Sequence, residues 1–471
     1  MKKTKIITTL GPVSCSKEVL RQLITEGMDV ARLNLSYADY SFCDKVINHI
    51  KTLNQELNTN ITIMLDLQGP AIRVGKFRNG RAKLRKNDLI RIEPGSALGN
   101  HTFFNVSYQE LVDDIRPGNK LLLAGGLIEL TVVRIDSKDI VCRVENDGLI
   151  EDNQELSVPG VKLKLPFLSK KDKEDIKYAC AMDVDFLALS HIRDTYNVLD
   201  VNDLLIELKN DHIGLIAKIE TKTALLAIDD IIKVSDGVMI ARGDLGTEVP
   251  MEKIPNIQKD IIDKCHEANK VSIVATEMLA SMQINKRPTR AEVSDVANAV
   301  LDGVDSVMLS GETTIGKYPV ETVNIMRRII ESTEENINYL KLLDQAMKTE
   351  RQDITSAIAY SVVDSANRLK VNNIVACTNS GYTARKISRF RPSCPIIATS
   401  PDEYTVRSLT LNWGVYPVLV NQYDSTDQII KNAIKVSKTL MKLDTGDTII
   451  ITGGFPAKNI KHTNFMKIEK I

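Results

Sequence analysis

Five short apolar segments of this chain run out into side chains suited to a phosphorylated substrate and a metal ion. They end as Ala31-Arg32-Leu33-Asn34-Leu35-Ser36, as Asp66, as Ala217-Lys218-Ile219-Glu220, as Ala241-Arg242-Gly243-Asp244-Leu245-Gly246, and as Thr276. If the segments are strands, a two-residue period sends Arg32, Asn34 and Ser36 to one side, and Lys218 and Glu220 likewise. Glu220 and Asp244 could then hold a hard, oxygen-seeking cation and leave positions open to substrate and water. Arg32 and Lys218 would supply fixed positive charge to phosphate oxygens. Gly243-Asp244 opens an expected helix, whose N–H groups and positive end suit a carboxylate or phosphate. Such parts describe phosphoryl transfer or enolate stabilisation, where catalysis is mostly positioning and electrostatics. Each has a plainer reading alone: Lys-x-Glu as a surface pair, Asp244 as a helix N-cap, Thr276 as a local hydrogen bonder. Five in series turn the reading towards a site.

The elements that must position these groups alternate between apolar runs and helical patterns, the habit of α/β folds with parallel strands. Eight strands are expected, at 5–10, 29–33, 61–65, 186–190, 213–219, 237–241, 271–276 and 306–309. Several are too continuously apolar to have a wet side, as strands buried on both faces are. The expectation is a (β/α)8 TIM barrel, with its chemistry at the carboxyl ends of the strands. Between the third and fourth strands lie about 120 residues, too many for a structureless loop. Arg81–Glu93, Lys120–Ile135 and Asp139–Val144 alternate there, with turn signals at Pro94-Gly95 and Pro117-Gly118, so an inserted all-β lid domain is expected. A further set of helices and strands starts near Thr355, with strands at 374–377, 396–399, 415–420 and 448–452, and reads as a C-terminal open-sheet α/β domain. The expected domains are 1–70 with 166–345, 71–165, and 346–471.

Composition bounds the function. Lys+Arg and Asp+Glu both total 61, so no overall field draws the chain to nucleic acid or to an anionic membrane. Seven scattered cysteines form no Cys-x-x-Cys pair and read as reduced thiols. No apolar run approaches bilayer length. Only five residues separate Met1-Lys2-Lys3-Thr4-Lys5 from Gly11-Pro12, too few for the core of a signal peptide. A cytoplasmic protein is expected.

Longer stretches resemble the pyruvate kinase family. They are Thr4–Pro12, Met28–Ser36, Asp66–Arg73, Asp236–Gly246, Arg287–Val300 and Met308-Leu309-Ser310-Gly311-Glu312-Thr313, and the match covers nearly the whole chain. The resemblance implies phosphoryl transfer from phosphoenolpyruvate to ADP, giving pyruvate and ATP, with Mg2+ or Mn2+, and usually a homotetramer. It implies Glu220 and Asp244 as magnesium ligands, and Lys218, Arg32 and Thr276 as catalytic residues. Gly243, Asp244 and Arg73 would join them in substrate binding. Asn34, Ser36, Asp66 and the Leu67 carbonyl match the monovalent-cation ligands, so K+ is a candidate cofactor. Thr378, Ser380, Gly381 and Thr383 resemble a loop that grips an effector's phosphate, although their composition also suits an ordinary loop.

Several departures from the family pattern, chiefly the lid positions and Tyr37, fall on what the resemblance implies is the nucleotide side. Tyr37 replaces a usual His, and Ala124-Gly125-Gly126 a usual Asp-Asp-Gly. Asn153-Gln154-Glu155 replaces Lys-Lys-Gly, Ser190-His191 replaces Ser-Phe, and Thr276-Glu277 replaces Thr-Gln. Each lost charge-assisted bond could weaken nucleotide binding by roughly 1.5–3 kcal/mol. Neutral drift in the lid, a divergent enzyme with altered nucleotide use and a non-catalytic metabolite-sensing paralogue stand as alternatives. Ala71 is neither the Glu that the resemblance implies for potassium-dependent members nor the Lys of independent ones, while Leu67, Gln68 and Val74 lean towards the independent type.

Overall fold

A computed structural model describes the chain except for residues 162, 348–352, 424 and 455–461. Eight parallel strands close into a barrel: β1 Lys5–Thr9, β2 Val30–Asn34, β3 Thr62–Asp66, β4 Phe186–Leu189, β5 Gly214–Ile219, β6 Gly237–Ala241, β7 Val271–Ala275 and β8 Ser306–Leu309. Each pairs with its sequence neighbour, and β8 returns to β1. Every residue of β1, β3, β4, β6, β7 and β8 is buried, which accounts for their largely apolar sequences.

The two-residue period divides the strands cleanly. Ile7, Val30, Met64, Ala188, Ile216, Met239 and Met308 belong to the cluster that fills the barrel. Ile6, Ala31, Leu65, Leu187, Ala217, Ile240 and Val307 pack outward under the helices. Carried two residues further, the inward set becomes Thr9, Arg32, Asp66, Ser190 and Lys218. The same alternation that builds the apolar core therefore delivers polar groups to the rim.

The lid has its own apolar core, including Ile90, Phe104, Leu121, Leu130 and Cys142. Where the chain enters and leaves it, Ile72–Arg73 pairs antiparallel with Glu155–Ser157. Two strands read from sequence as continuous are divided. Arg81–Leu84 and Leu89–Ile92 are separated by a turn at Asn87 (φ 71°), and Lys120–Leu123 and Ile128–Asp136 by one at Ala124-Gly125-Gly126. The glycines there have φ 63° and 89°, conformations with no steric cost for them.

The C-terminal sheet runs in the order Val415–Leu419, Ile396–Ser400, Asn373–Cys377, Thr448–Gly453, Phe465–Lys470. Its last strand is antiparallel and was not expected from sequence. This domain docks against the barrel through a buried pair, Arg391 Nη1 to Asp305 Oδ1 at 2.9 Å. Asp305 also accepts from the Trp413 N–H, and the Arg391 guanidinium lies 4.9 Å from the Trp413 ring centre.

Candidate active site at the barrel rim

The rim network starts at Arg32. Its Nε donates to Asp66 Oδ2 at 2.7 Å, and Nη1 donates to Thr9 Oγ1 at 2.8 Å. On the other side of Asp66, Oδ1 accepts from Ser190 Oγ at 3.1 Å and lies 3.4 Å from Lys218 Nζ. The lysine also donates to Ser190 Oγ at 2.7 Å and pairs with Glu220 Oε1 at 2.8 Å. The other oxygen of Glu220 accepts the His191 N–H at 2.6 Å. These charged groups are nearly sealed: Asp66 is 1 % exposed, Glu220 2 %, Arg32 6 % and Lys218 9 %.

Burial raises the Asp66 carboxyl, but Arg32 and Lys218 outweigh it and hold the pKa below the ordinary aspartate value. Burial likewise raises Glu220, and Lys218 with His191 brings it below the glutamate norm. Lys218 loses hydration, yet Asp66 and Glu220 keep its pKa above that of a free lysine. Asp244 is the exception. Solvent can reach it, but protein crowds it; desolvation first, and repulsion from Glu220 second, push it up to about 7. No protein donor bonds its side chain among the described residues.

That chemistry fits a divalent cation. Glu220 and Asp244 repel one another, and a cation beside them would relieve that repulsion. Among the described residues no three metal-ligating side chains gather, so Glu220 and Asp244 would leave most coordination positions to substrate and water.

Thr276 stands at the carboxyl end of β7 in a left-handed conformation, φ 70°, followed by Glu277 at 54°. A β-branched residue there stores about 1–3 kcal/mol of strain. Arg242 holds it: Nη2 donates to the Thr276 carbonyl at 2.7 Å, while Asp295 grips the guanidinium with both oxygens at 2.7 and 2.8 Å. Gly243 N–H is not free, as the sequence suggested; it donates to Thr276 Oγ1 at 2.8 Å. The helix it opens, Arg242–Glu248, is only seven residues long.

Other expected site residues sit apart. Strand β2 ends at Asn34, so its period does not reach Ser36, whose N–H instead donates to Asn34 Oδ1 at 2.9 Å. The Leu67 carbonyl accepts from Ser190 Oγ at 2.8 Å. Arg73 lies on the lid, its Nη1 donating to the Asn153 carbonyl at 3.1 Å. In the C-terminal domain, Thr378, Ser380 and Thr383 line a cavity of about 140 Å³, and Gly381, φ 78°, caps the helix Tyr382–Arg389.

Sequence reading passed over Thr9, Ser190 and Arg242 as site residues. Inward parity from Ile7 and Ala188 points to the first two. Nothing local marks Arg242, whose partner Asp295 is distant in sequence. His191, noted only as a departure, bridges the floor and the lid: its Nδ1 lies 3.5 Å from Glu220 Oε2 and its Nε2 3.3 Å from Glu155 Oε1.

This geometry sits in a chain with clear relatives. A family model described as pyruvate kinase, barrel domain, matches residues 1–323, and one described as pyruvate kinase, alpha/beta domain, matches residues 356–469. The chain belongs to the pyruvate kinase family. It is similar to a pyruvate kinase of Clostridium perfringens, 44% identical over 474 residues, with all of both chains covered. It is 42% identical to one from Staphylococcus aureus over 473 residues, covering all of this chain and 81% of that one. A solved pyruvate kinase of Cryptosporidium parvum superposes with a TM-score of 0.92 at 36% identity, over all of this chain and 96% of the other. Family membership makes the protein a phosphotransferase.

Proposed function

We propose that the protein transfers the phosphoryl group of phosphoenolpyruvate to ADP, giving pyruvate and ATP, with Mg2+ or Mn2+ held by Glu220 and Asp244. The observation that carries this is the pairing of Lys218 with Glu220 at 2.8 Å at the barrel rim, beside a second carboxylate, Asp244, that has no protein donor among the described residues. A divalent cation there supplies positive charge to phosphoryl and enolate oxygens. Arg32, fixed by Asp66 and Thr9, binds phosphate oxygens. Lys218 reaches the transferring group, and stabilises charge on the oxygen left behind. Thr276, held in its strained conformation, stands near the carbon that takes up a proton, with Gly243, Asp244 and Arg73 completing the substrate contacts.

Incubation with phosphoenolpyruvate, ADP and Mg2+ tests the reaction. Pyruvate is the expected product, and none under any monovalent salt would overturn the proposal. A second reading, weak nucleotide use, is favoured by Glu155 standing on the lid within reach of His191; an ADP titration by calorimetry separates the two. A sensing paralogue is disfavoured by a floor that keeps its costly charges converged.

The oxygens of the monovalent-cation set are largely engaged by protein. Asp66 accepts from Arg32, Asn34 Oδ1 from the Ser36 N–H, and either Asp66 or the Leu67 carbonyl from the single Ser190 hydroxyl proton. We therefore read K+ as dispensable for turnover. Working domain boundaries are 1–70 with 166–345, 71–165, and 346–471, supported by three separate apolar clusters. The loop of Thr378, Ser380, Gly381 and Thr383 is the proposed effector contact. A homotetramer in the cytoplasm completes the proposal; among the described residues no helix is long and apolar enough to cross a membrane.

A further inference from the structure

At the amino-terminal end of the barrel, facing the C-terminal domain, lies a cleft of about 1000 Å³. One wall carries Lys233, which also pairs with Asp230 at 2.8 Å, with Asp211, Asp229, Asp236 and Glu267 of the barrel, and the other is the helix Tyr382–Arg389, which directs Arg385 into it. Arg385 Nη1 donates to the Ser380 carbonyl at 2.9 Å and Nη2 to Ser408 Oγ at 3.0 Å. Both acceptors are neutral. Among the described residues no carboxylate forms an ion pair with this guanidinium. Asp236 acts on it only at longer range and already accepts the Leu215 N–H at 2.8 Å. Burial lowers the Arg385 pKa, as it must for a charge that has lost water without gaining a counter-ion. A guanidinium offers five N–H donors in a fork suited to carboxylate or phosphate, and here only two bonds are made.

We propose that this interdomain cleft binds a small phosphate- or carboxylate-bearing anion on Arg385. The site is separate from the cavity beside residues 378–383 but adjoins it. Tyr382 borders both, and the same Arg385 nitrogen that binds Ser380 would lie 2.9 Å from a Cβ added at Gly381. An anion that draws on Arg385 therefore pulls on that loop. The proposal does not depend on the reaction described above.

Calorimetry on the full chain, with inorganic phosphate and separately with citrate, tests it. At least one probe is expected to bind, and which one does distinguishes a phosphate from a carboxylate ligand. Arg385→Gln should weaken that binding about tenfold or more, the loss of one charge-assisted bond. Lys233→Glu, on the opposite wall away from the loop, should weaken it too, while Thr378→Val should leave it unchanged. If Arg385→Gln does not fold, as judged by circular dichroism, Lys233→Glu decides. Failure of both probes to bind, affinity that falls with Thr378→Val but not Lys233→Glu, or affinity indifferent to all three substitutions overturns the site.

Discussion

Replacing Lys218 by Met separates its part in catalysis from its part in stability. The ammonium lies 2.8 Å from Glu220 and 3.4 Å from Asp66, and Met removes it at similar volume. Asp66 keeps Arg32 at 2.6 Å. Glu220 keeps the His191 N–H but faces Asp244 with no ammonium between them. Breaking a buried pair by removing one partner costs about 3–5 kcal/mol, and the retained N–H places this case near the lower end, about 3. In Lys218→Met/Glu220→Gln the orphaned charge is gone, so stability should recover by about 2 kcal/mol. Pyruvate formation should stay down by roughly a thousandfold or more in both variants, as expected when a positioned charge is lost at the reacting group. Mg2+ should stabilise the single variant more than the double, because one of its carboxylates is missing from the latter. Urea unfolding followed by circular dichroism, with and without Mg2+, measures the first quantity, and a coupled pyruvate assay the second. A single variant as stable as the parent, with a double no better, would refute the claim that the lysine holds Glu220; turnover at the parent rate would remove its catalytic role.

The remaining expectations concern other groups. His266, beside Arg391 and the Gly303 carbonyl, has its pKa lowered from 6.5 to about 3 by burial and then by Arg391. The unfolded chain thus binds that proton more readily, so stability is full above pH 6.5 and lost as pH falls towards 3. His266→Gln should remove a slope of at most about 1.4 kcal/mol per pH unit, read from fluorescence of Trp413, the sole tryptophan. Glu155→Gln should lower KM for ADP about twofold to fivefold and leave KM for phosphoenolpyruvate unchanged; an unaltered KM for ADP would clear Glu155 of repelling nucleotide. In a tetramethylammonium buffer free of K+, most of the activity should persist, and its collapse would show that the cation is required. Chelation of divalent metal should weaken oxalate, an enolate mimic, at least tenfold in calorimetry; undiminished affinity would separate Glu220 and Asp244 from the ligand site.

Much of this site was legible because one rule governs both core and rim. Once Val30 and Ile216 point inward, Arg32 and Lys218 must do so too, and a barrel brings such residues from distant segments to one end. The rule failed where its premise failed. Ser36 lies beyond the end of β2, so alternation says nothing of its direction, and Gly243 sits in a helix whose N–H a threonine from the neighbouring strand had already taken. Arg242 could not be found at all, since its role depends on Asp295 and on the left-handed turn at Thr276, neither of which has a local sequence pattern. The last strand, Phe465–Lys470, alternates only weakly and pairs antiparallel to Thr448–Gly453, so the parallel pattern gave no reason to look for it.

The charges at the floor also explain why metal and substrate should act together. Arg32 and Lys218 face Asp66, Glu220 and Asp244, three carboxyl groups against two cationic side chains. An anion as highly charged as an enol phosphate gains little from that balance; Asp244 is pushed up to about 7 by desolvation first and by Glu220 second. A divalent cation held by Glu220 and Asp244 would reverse the sign, adding its charge to those of the Arg32 guanidinium and the Lys218 ammonium. On the proposed reading, the same two carboxylates would make phosphoryl binding conditional on metal. A floor relieved of them by neutral residues would be easier to fold and would lose that condition.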